Sequence, residues 1–203
     1  MFEILKNNLA AHLTLTDEQW AFVLSHFKSK ITKKNELLLE KGKVSQYLYF
    51  VVKGCLRIFL LSDDGQESTR FLIFEGGVGT AFPSFILRQP SAASIQSVEA
   101  SQLLMISYQD YHTLLDVVPG WERMIRIGLE KDYIEAILRI ESLISMDAKD
   151  RYAMLMKKNP KLIQRLPNKI VADYLGISQE TLSRLKNREI RKLKNQKAEL
   201  KQE

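Results

Sequence analysis

The sequence contains one cysteine, Cys55, and three widely separated histidines, His12, His26 and His112. A lone cysteine excludes an intramolecular disulfide and cannot supply the several thiolates that an iron–sulfur cluster requires. The histidines lack the His-x-His spacing of a cupin-type metal enzyme, and nothing marks one of them as a haem ligand. We therefore predict no metal site and no catalytic site from these residue types.

Long hydrophobic runs are also absent. The most apolar stretch, YLYFVVKG at residues 47–54, is far shorter than a helix that spans a bilayer. The first twenty residues have an amphipathic pattern and lack the basic and then apolar segments of a signal peptide. With 203 residues, of which 45% are hydrophobic and 27% charged, the composition is typical of one or two globular domains. We expect a soluble, cytoplasmic protein with no membrane partner.

Charge is distributed unevenly along the chain. Residues 151–203 hold 14 Lys and Arg but five Asp and Glu, a net charge of +9. Because the whole chain carries +6, residues 1–150 carry −3. A basic C-terminal quarter on a mildly acidic body predicts a polyanionic partner for that quarter alone. A solubilising tail is the alternative for residues 192–201, but it does not explain the patterned segment before them.

Residues 35–108 alternate short apolar runs with glycine-containing breaks, a pattern typical of antiparallel strands. The clearest runs are ELLLEKGK, YLYFVVKG, CLRIFLLSDDGQESTRFLIF and SQLLMISY. Asp64-Gly65 lies between two of these runs and predicts a hairpin with a type I′ turn. Many short strands at this spacing favour a double-sheet β architecture such as a jelly roll. Cys55, Trp20 and Trp121 are expected to be core residues.

A helical period replaces this pattern after Tyr108. The segment ERMIRIGLEKDYIEAILRIESLI has no proline and predicts one long helix over residues 121–144. Its apolar residues form two neighbouring stripes, Ile125, Leu129, Ile137, Ile140 and Ile144 in one, and Met124, Ile127, Ile134 and Leu138 in the other. An apolar band this wide on one helix can pack against two different surfaces. We expect one stripe to lie on the β domain and Ile127, Ile134 and Leu138 to pair with a second copy of the chain; burial within one chain is the alternative.

Ser145-Met146-Asp147 predicts a break in this helix. Asp147 is the expected N-cap of a new helix over residues 148–158, which ends at Asn159-Pro160. The stretch NKIVADYLGISQETLSRLKN, at residues 168–187, then has the pattern of a helix-turn-helix.

Within that stretch, Asn168 and Ser178 are the expected caps of the two short helices. Gly176 occupies the turn, where a residue with positive φ is needed, and Ala172 is small enough to let the helix axes approach. The expected shared core consists of Val171, Leu175, Ile177, Leu182 and Leu185. The polar side chains outside this core can bind phosphates and base edges of double-stranded DNA. The candidate DNA-binding residues are Ser178, Gln179, Glu180, Thr181, Ser183, Arg184, Lys169, Lys186 and Arg188.

Together, the strand-rich region, the long helix and this motif resemble the Crp/Fnr superfamily of bacterial transcription regulators. KGKVSQYLYFVVKGCLRIFLLSDDGQE resembles the start of that family's β-roll, LLMISYQDYHTLL its strand into the helical part, and LGISQETLSRL its recognition unit. The basic ending is similar to versions from Bacteroidetes-type bacteria. The resemblance implies a homodimer on a pseudo-palindromic operator, with RNA polymerase as a further partner if the protein is an activator.

The resemblance also implies an α+β fold in three parts. These are a cyclic-nucleotide-binding-like β-roll (double-stranded β-helix or jelly roll) over residues 1–115, a dimerisation helix and hinge over 116–146, and a helix-turn-helix domain over 147–203. Many relatives add a β-hairpin wing, whereas residues 188–203 have helical composition. We expect the recognition helix to continue there, with basic residues that contact phosphates or remain solvated.

The family's cyclic-nucleotide binders use a Gly-Glu pair for the ribose and an Arg-Ser pair for the cyclic phosphate. Here Thr80 replaces the glutamate after Gly79, and Ser91 and Ala92 replace the Arg-Ser pair. A buried phosphate needs a charge-assisted partner, for which Arg88 is the candidate substitute. The candidate effector pocket consists of Gly79, Thr80, Ala81, Arg88, Ser91 and Ala92. We expect an unknown small-molecule effector other than cyclic AMP, and we identify no cofactor.

Two other classes of function remain open. One is an effector-independent, nucleoid-like DNA binder with little sequence preference. The other is a metal-binding, cupin-like jelly roll with an accessory DNA domain.

Overall fold

The computed structural model describes residues 1–160 and 162–199, apart from the side chains of residues 163, 164, 190 and 192–199. The chain divides into two compact units, Met1–Tyr133 and Ile134–Glu203. Its elements are α1 (Phe2–Ala10), α2 (Asp17–Ser25), β1 (Phe27–Thr32), β2 (Leu37–Leu39), β3 (Tyr47–Lys53), β4 (Leu56–Leu61), β5 (Glu67–Ile73), β6 (Val78–Gly79), α3 (Phe82–Leu87), β7 (Ala93–Ser97), β8 (Ser101–Ser107), α4 (Tyr108–Val117), α5 (Trp121–Ser145), α6 (Ala148–Lys158), α7 (Leu162–Arg165), α8 (Asn168–Leu175) and α9 (Gln179–Glu199). None of the described helices is long and apolar enough to cross a membrane.

Antiparallel strands of the first unit form two sheets, in the orders β1-β8-β3-β6 and β2-β7-β4-β5. Successive side chains of β3 serve two cores because a strand turns alternate residues to opposite faces. Tyr49 and Val51 pack in a cluster that takes residues from both sheets, including Ile95 of β7 and Leu103 of β8. The predicted α+β class and double-sheet architecture are therefore confirmed.

The second core lies between the helices of the first unit and the opposite face of β3. Phe50 and Val52 join residues from α1, α2, α4 and the beginning of α5, among them Trp20 and Trp121. Both tryptophans are buried, and Cys55 is completely buried, so the prediction that they are core residues is confirmed.

The prediction of a type I′ turn at Asp64-Gly65 is wrong. Gly65 has a φ of +84°, but Asp64 does not have the positive φ that this turn also requires. A five-residue loop joins β4 to β5, and the Ser62 side chain organises it by accepting from the Gln66 N–H at 3.0 Å and donating to the Asp64 carboxylate. The hairpin itself is confirmed, because β4 and β5 pair in antiparallel register.

Two elements depart from the strand region predicted over residues 35–108. β1 begins earlier, at Phe27, and its alternation is obscured because Ile31 is 73% exposed whereas Thr32 is buried. The Thr32 hydroxyl is satisfied by Ser97 Oγ at 2.7 Å. A short helix, α3, also interrupts the strands. Gly54 ends β3 as expected, where a Cβ atom would lie 2.1 Å from Ser101 Oγ.

The helical predictions after Tyr108 are confirmed with small changes. α5 spans Trp121–Ser145 without interruption, and α6 spans Ala148–Lys158. The Asp147 side chain caps α6 by accepting from the Asp150 N–H at 2.8 Å. α9 continues to Glu199, so the recognition helix extends as expected where many relatives have a wing.

Candidate DNA interface, dimer surface and effector cavity

The turn between α8 and α9 has the predicted geometry. Gly176 is in the left-handed region, with φ of +66° and ψ of +41°, and its N–H bonds to the Ala172 and Asp173 carbonyls. The Ile177 N–H bonds to the Ala172 carbonyl at 3.1 Å, which completes a Schellman-type ending. Since a Cβ atom on Gly176 would also lie 3.3 Å from Leu143 Cδ2, both conformation and space favour glycine here.

The helices α8 and α9 share the expected core. Val171, Ala172, Leu175 and Leu182 are buried, while Ile177 and Leu185 are half-buried. The predicted role of these residues is therefore confirmed.

The first helix is capped differently from the prediction, whereas the second is capped as predicted. Ser178 caps α9, since its Oγ accepts from the Thr181 N–H at 3.1 Å. Asn168 is not the cap of α8; it is the first helical residue, and Pro167 holds the cap position. The fixed φ of proline suits the entry to a helix, and the Asn168 side chain instead accepts a hydrogen bond from the Lys186 ammonium.

The candidate DNA-binding residues fall into two groups. Ser178, Gln179, Glu180, Ser183, Arg184, Lys169 and Arg188 are exposed, whereas Thr181 and Lys186 are half-buried. Burial lowers the pKa of the Lys186 ammonium, and this side chain links α9 to α8 through Asn168. Lys186 therefore has a structural contact that the sequence did not indicate.

The base-reading candidates on α9 remain available for a ligand. Among the described residues, Gln179, Glu180 and Arg184 have no side-chain hydrogen bond or ion pair with a neighbour. In particular, Glu180 and Arg184 do not form the i,i+4 ion pair that their spacing allows. Three polar side chains thus project from the first turns of α9 without an internal partner.

Two arginines hold the C-terminal end of α8. The Arg139 guanidinium of α5 stacks 3.8 Å from the centroid of the Tyr174 ring and donates to the Tyr174 carbonyl. Arg151 Nε of α6 donates to the Leu175 carbonyl at 3.0 Å, and its Nη1 donates to the Met146 carbonyl. These bonds satisfy carbonyls that have no partner within α8, because a helix leaves its last carbonyls free.

Burial lowers the pKa of the Arg139 guanidinium, which remains a cation. We call Arg139, Arg151, Tyr174 and the Leu175 carbonyl the arginine clasp. The arginine clasp was not predicted from the sequence. An arginine in an amphipathic helix usually has a solvated guanidinium, and the carbonyl partners on α8 lie 24 to 35 residues away in the sequence.

The apolar surface of α5 is largely uncovered. The predicted dimer residues Ile127, Ile134 and Leu138 are 40%, 58% and 52% exposed. The expectation that the other stripe lies on the β domain is wrong except at its beginning, where Ile125 packs, beside Met124, against the core that contains Trp121. Its remaining members, Leu129, Ile137, Ile140 and Ile144, are all exposed. A helix of 25 residues is about 37 Å long at 1.5 Å per residue, so a core at its beginning reaches only its first turns.

In the predicted effector pocket, Thr80 and Arg88 have internal partners. The Thr80 hydroxyl donates to the Tyr47 carbonyl at 2.8 Å and lies 2.9 Å from Ser45 Oγ. Arg88 donates to the Ser45 carbonyl at 2.6 Å, the Phe85 carbonyl at 3.2 Å and Gln46 Oε1 at 2.7 Å. Its guanidinium also stacks 4.5 Å from the centroid of the Tyr108 ring. Arg88 is therefore a brace between chain segments and has few donors left for a phosphate.

The other predicted pocket residues have contacts of their own within the first unit. Ser91 Oγ bonds within its own turn, donating to the Ala93 carbonyl at 2.7 Å, and Ala92 is exposed. Gly79 pairs with Tyr49, and Ala81 packs in the core between the sheets. A Cβ atom on Gly79 would lie 2.0 Å from Ile73 Cδ1, so this glycine accommodates an apolar neighbour.

A cavity of about 360 Å³ lies beside this region. It is lined by Leu37, Leu38, Leu39, Glu40, Lys43, Val44, Ser45, Gln46, Tyr47 and Tyr49. None of the six predicted pocket residues lines it. The sequence feature that could have indicated this cavity is the pair Tyr47 and Tyr49, since residues i and i+2 of a strand share a face.

Comparisons with known proteins agree with this architecture. Residues 30–117 match the cyclic nucleotide-binding domain family. The cyclic AMP receptor protein of Thermus thermophilus is 28% identical over 177 residues, which cover 84% of this chain and 81% of that relative. The structure of FixK2 from Bradyrhizobium japonicum has a TM-score of 0.71 at 16% identity, covering 80% of this chain and 83% of that chain. The structure of a CooA mutant from Carboxydothermus hydrogenoformans has a TM-score of 0.69 at 20% identity, with 90% and 88% covered.

A β-roll of the cyclic nucleotide-binding type is thus followed, in one chain, by a helix-turn-helix. This combination defines a class of transcription regulator. The chain is similar to the Crp/Fnr superfamily of transcriptional regulators, as its sequence motifs predicted. Regulators of this family bind DNA and act as dimers.

The arginine clasp leads to a prediction about stability. The substitution Arg139→Met keeps an unbranched side chain, but it removes the donor to the Tyr174 carbonyl and the cation that stacks on the Tyr174 ring. We expect the free energy of unfolding of the helix-turn-helix unit to fall by about 1–3 kcal/mol, measured by denaturant titration followed by circular dichroism. Arg188→Met, at an exposed position of α9, is the control and should change it by less than about 0.5 kcal/mol. Equal losses in the two variants would show that the clasp contributes nothing specific.

Proposed function

We propose that this chain regulates transcription as a homodimer on a two-fold-related DNA site, in response to an effector other than cyclic AMP. The carrying observation is the set of unpaired polar side chains on the first turns of α9, Gln179, Glu180 and Arg184. They project from a helix that is capped by Ser178 and fixed to α8 by the Gly176 turn. We infer that these three residues contact base edges, while Ser178 and Thr181 contact phosphates.

The chemistry of these side chains supports the inferred base contacts. Arg184 can donate two hydrogen bonds to guanine O6 and N7, Glu180 can accept from cytosine N4, and Gln179 matches adenine N6 and N7. Lys169, Ser183 and Arg188 are exposed around them and extend the proposed surface toward the phosphates. Lys186 can add positive charge near the backbone even though its ammonium is bonded to Asn168.

The exposed apolar residues of α5 support the homodimer. Large apolar side chains rarely form a continuous exposed patch unless something covers them. A second copy of α5 in parallel orientation would cover Ile127, Ile134 and Leu138 of each chain at a two-fold axis. Two recognition helices related by such an axis fit half-sites one DNA turn apart, about 34 Å.

We propose that three consecutive segments of the chain have different functions. Residues 1–115 form the sensor domain, residues 116–146 the dimerisation helix and hinge, and residues 147–203 the DNA-binding domain. Along the chain, the boundary between the two compact units falls within α5, between Tyr133 and Ile134. This supports the assignment of α5 as the link, because one continuous helix belongs to both units.

The dimer proposal predicts the effect of charges on α5. Replacing Ile134 and Leu138 together with Asp should give monomers, because each substitution places carboxylates in the proposed apolar seam. Light scattering at micromolar concentration should show a dimer for the wild type and a monomer for the variant, and operator binding should be lost with the dimer. Replacing the exposed Lys131 and Asp132 with Ala is the control. A monomeric wild type would rule the dimer out.

The effector proposal predicts weak or undetectable binding of cyclic AMP. Thr80 cannot supply the ribose carboxylate, and Arg88 would have to give up three hydrogen bonds to reach a phosphate. Isothermal calorimetry on the full chain should show no binding at micromolar cyclic AMP. Micromolar affinity that disappears in Arg88→Gln would instead identify Arg88 as the phosphate ligand.

The DNA proposal predicts which residue reads sequence. Arg184→Ala should weaken binding to the specific operator by about 1–3 kcal/mol and relax the preference at one base pair. Lys169→Ala is the comparison; it should weaken binding to operator and random DNA alike and reduce the salt dependence. Both effects can be measured by fluorescence anisotropy over a range of salt. If Arg184→Ala lowers the affinity for the operator and the affinity for random DNA by the same factor, Arg184 contacts phosphate. That result would fit a DNA binder with little sequence preference.

A further inference from the structure

We propose that the cavity beside β2 and β3 binds a small, uncharged molecule with both apolar and polar groups that forms a hydrogen bond with the Tyr49 hydroxyl. This inference rests on the proposed function, because it names the chemical class of effector that the β domain would sense. Its position differs from that of the six residues predicted from the family's nucleotide pocket, none of which lines the cavity.

The walls of the cavity present apolar and polar surface in nearly equal parts, which suits a ligand that has both. Leu37, Leu39 and Val44 contribute aliphatic surface, and the rings of Tyr47 and Tyr49 lie with centroids 6.4 Å apart at 52°. The volume of about 360 Å³ is at the lower end of the range for small-molecule sites, roughly 300–1,000 Å³. A compact molecule of one to three rings matches this size and surface.

Tyr49 supplies a specific polar contact. It is 4% exposed and lines the cavity, yet its hydroxyl makes no hydrogen bond to any residue that the structure describes. The hydroxyl atom itself is not fully buried, so water in the open cavity can pair with it and a ligand can replace that water. Burial, with a smaller effect of Tyr47, raises the pKa of Tyr49 to about 12. The phenol therefore stays protonated near neutral pH and offers a hydrogen bond without a charge.

The charges around the cavity disfavour an anion. Arg88 is occupied by Ser45, Phe85 and Gln46. The charged side chains that line the cavity are Glu40 and Lys43, of opposite sign, and both are exposed. An anion near Lys43 would also meet the Glu40 carboxylate, so the opening provides no net attraction for a phosphate or sulfonate.

Contacts within the first unit connect this cavity to the beginning of α5. Ser45 and Gln46 line the cavity and accept hydrogen bonds from Arg88, which stacks on Tyr108. Phe85 makes edge-on contacts with Tyr108 and Tyr111, with centroids 5.6 and 5.5 Å apart. Tyr111 belongs to the core cluster that contains Trp121 of α5. A ligand that moves Gln46 would therefore disturb a chain of packed side chains that reaches α5.

Two fluorescent probes that share one ring system test the ligand class. N-phenyl-1-naphthylamine is uncharged, and 8-anilinonaphthalene-1-sulfonate is the same scaffold with a sulfonate. Titration of the full chain should show one uncharged probe per chain and at least about tenfold weaker binding of the sulfonate at the same site. Equal affinity of the two probes would overturn the proposal.

Variants locate the binding site. Val44→Trp should fill the cavity and abolish binding of the uncharged probe, and Leu37→Trp is a second filling variant in case the first does not fold. Ile31→Trp adds the same ring at an exposed position of β1 outside the cavity and should leave binding unchanged. Tyr49→Phe should weaken binding about three- to tenfold, the equivalent of one lost hydrogen bond. Probe binding that survives both filling variants would overturn the proposal.

A separate measurement distinguishes this inference from the proposed function. Operator affinity is measured by fluorescence anisotropy in the presence and in the absence of the uncharged probe. The DNA duplex carries a dye that emits outside the emission range of the probe. A change that Val44→Trp or Leu37→Trp abolishes supports both. Specific probe binding without a change in operator affinity supports the site but overturns its role as the effector site. Failure of the wild type to bind DNA at all overturns the proposed function and leaves the probe titration to decide the inference.

Discussion

A single uninterrupted helix, α5, is the constraint on which the rest of the molecule depends. At its beginning, Trp121, Met124 and Ile125 are held in the core of the first unit. Near its end, Arg139 is bonded to the last turn of α8, and Leu143 lies against the Gly176 turn. Between these anchors the helix exposes isoleucine, leucine and tyrosine side chains that neither anchor covers.

Burial of this exposed surface and specific DNA recognition are therefore linked problems. A monomer would leave the apolar patch in water, whereas a parallel pair of helices removes it and creates a two-fold axis at the same time. The arginine clasp then matters for more than local stability. Because it ties α8 to α5 and α6, the recognition helix takes its orientation from the helix proposed to form the dimer axis. A pseudo-palindromic DNA site is the natural partner of such an arrangement.

The helix-turn-helix was predictable because its determinants are local. Gly176, Ser178 and Asp147 act on backbone groups within three to five residues, so their spacing in the sequence already specifies the geometry. Asn168 was misassigned because Pro167 occupies the cap position of α8. The Asn168 side chain instead accepts a hydrogen bond from Lys186, which is distant in the sequence.

The internal partners of the predicted pocket residues were not predictable, for the opposite reason. The partners of Arg88 lie up to 43 residues away, on segments whose approach depends on the pairing of strands. No periodicity specifies that pairing at the level of a side chain. The family pattern predicts that the nucleotide ligands are missing, but it gives no indication of the cavity lined by Tyr47 and Tyr49.

The same physical criterion separates structural from functional polar groups in both units. Arg88, Arg139 and Lys186 are cations that each donate hydrogen bonds to carbonyl or amide oxygens of the chain. Conversely, the Tyr49 hydroxyl and the side chains of Gln179, Glu180 and Arg184 have no partner among the described residues. A side chain that already bonds within the chain must give up that hydrogen bond to bind a ligand, whereas a side chain without a protein partner needs only to exchange water. Binding is therefore expected where polar groups remain unpaired: at a neutral phenol in the β domain, and at mixed donors and acceptors on the recognition helix.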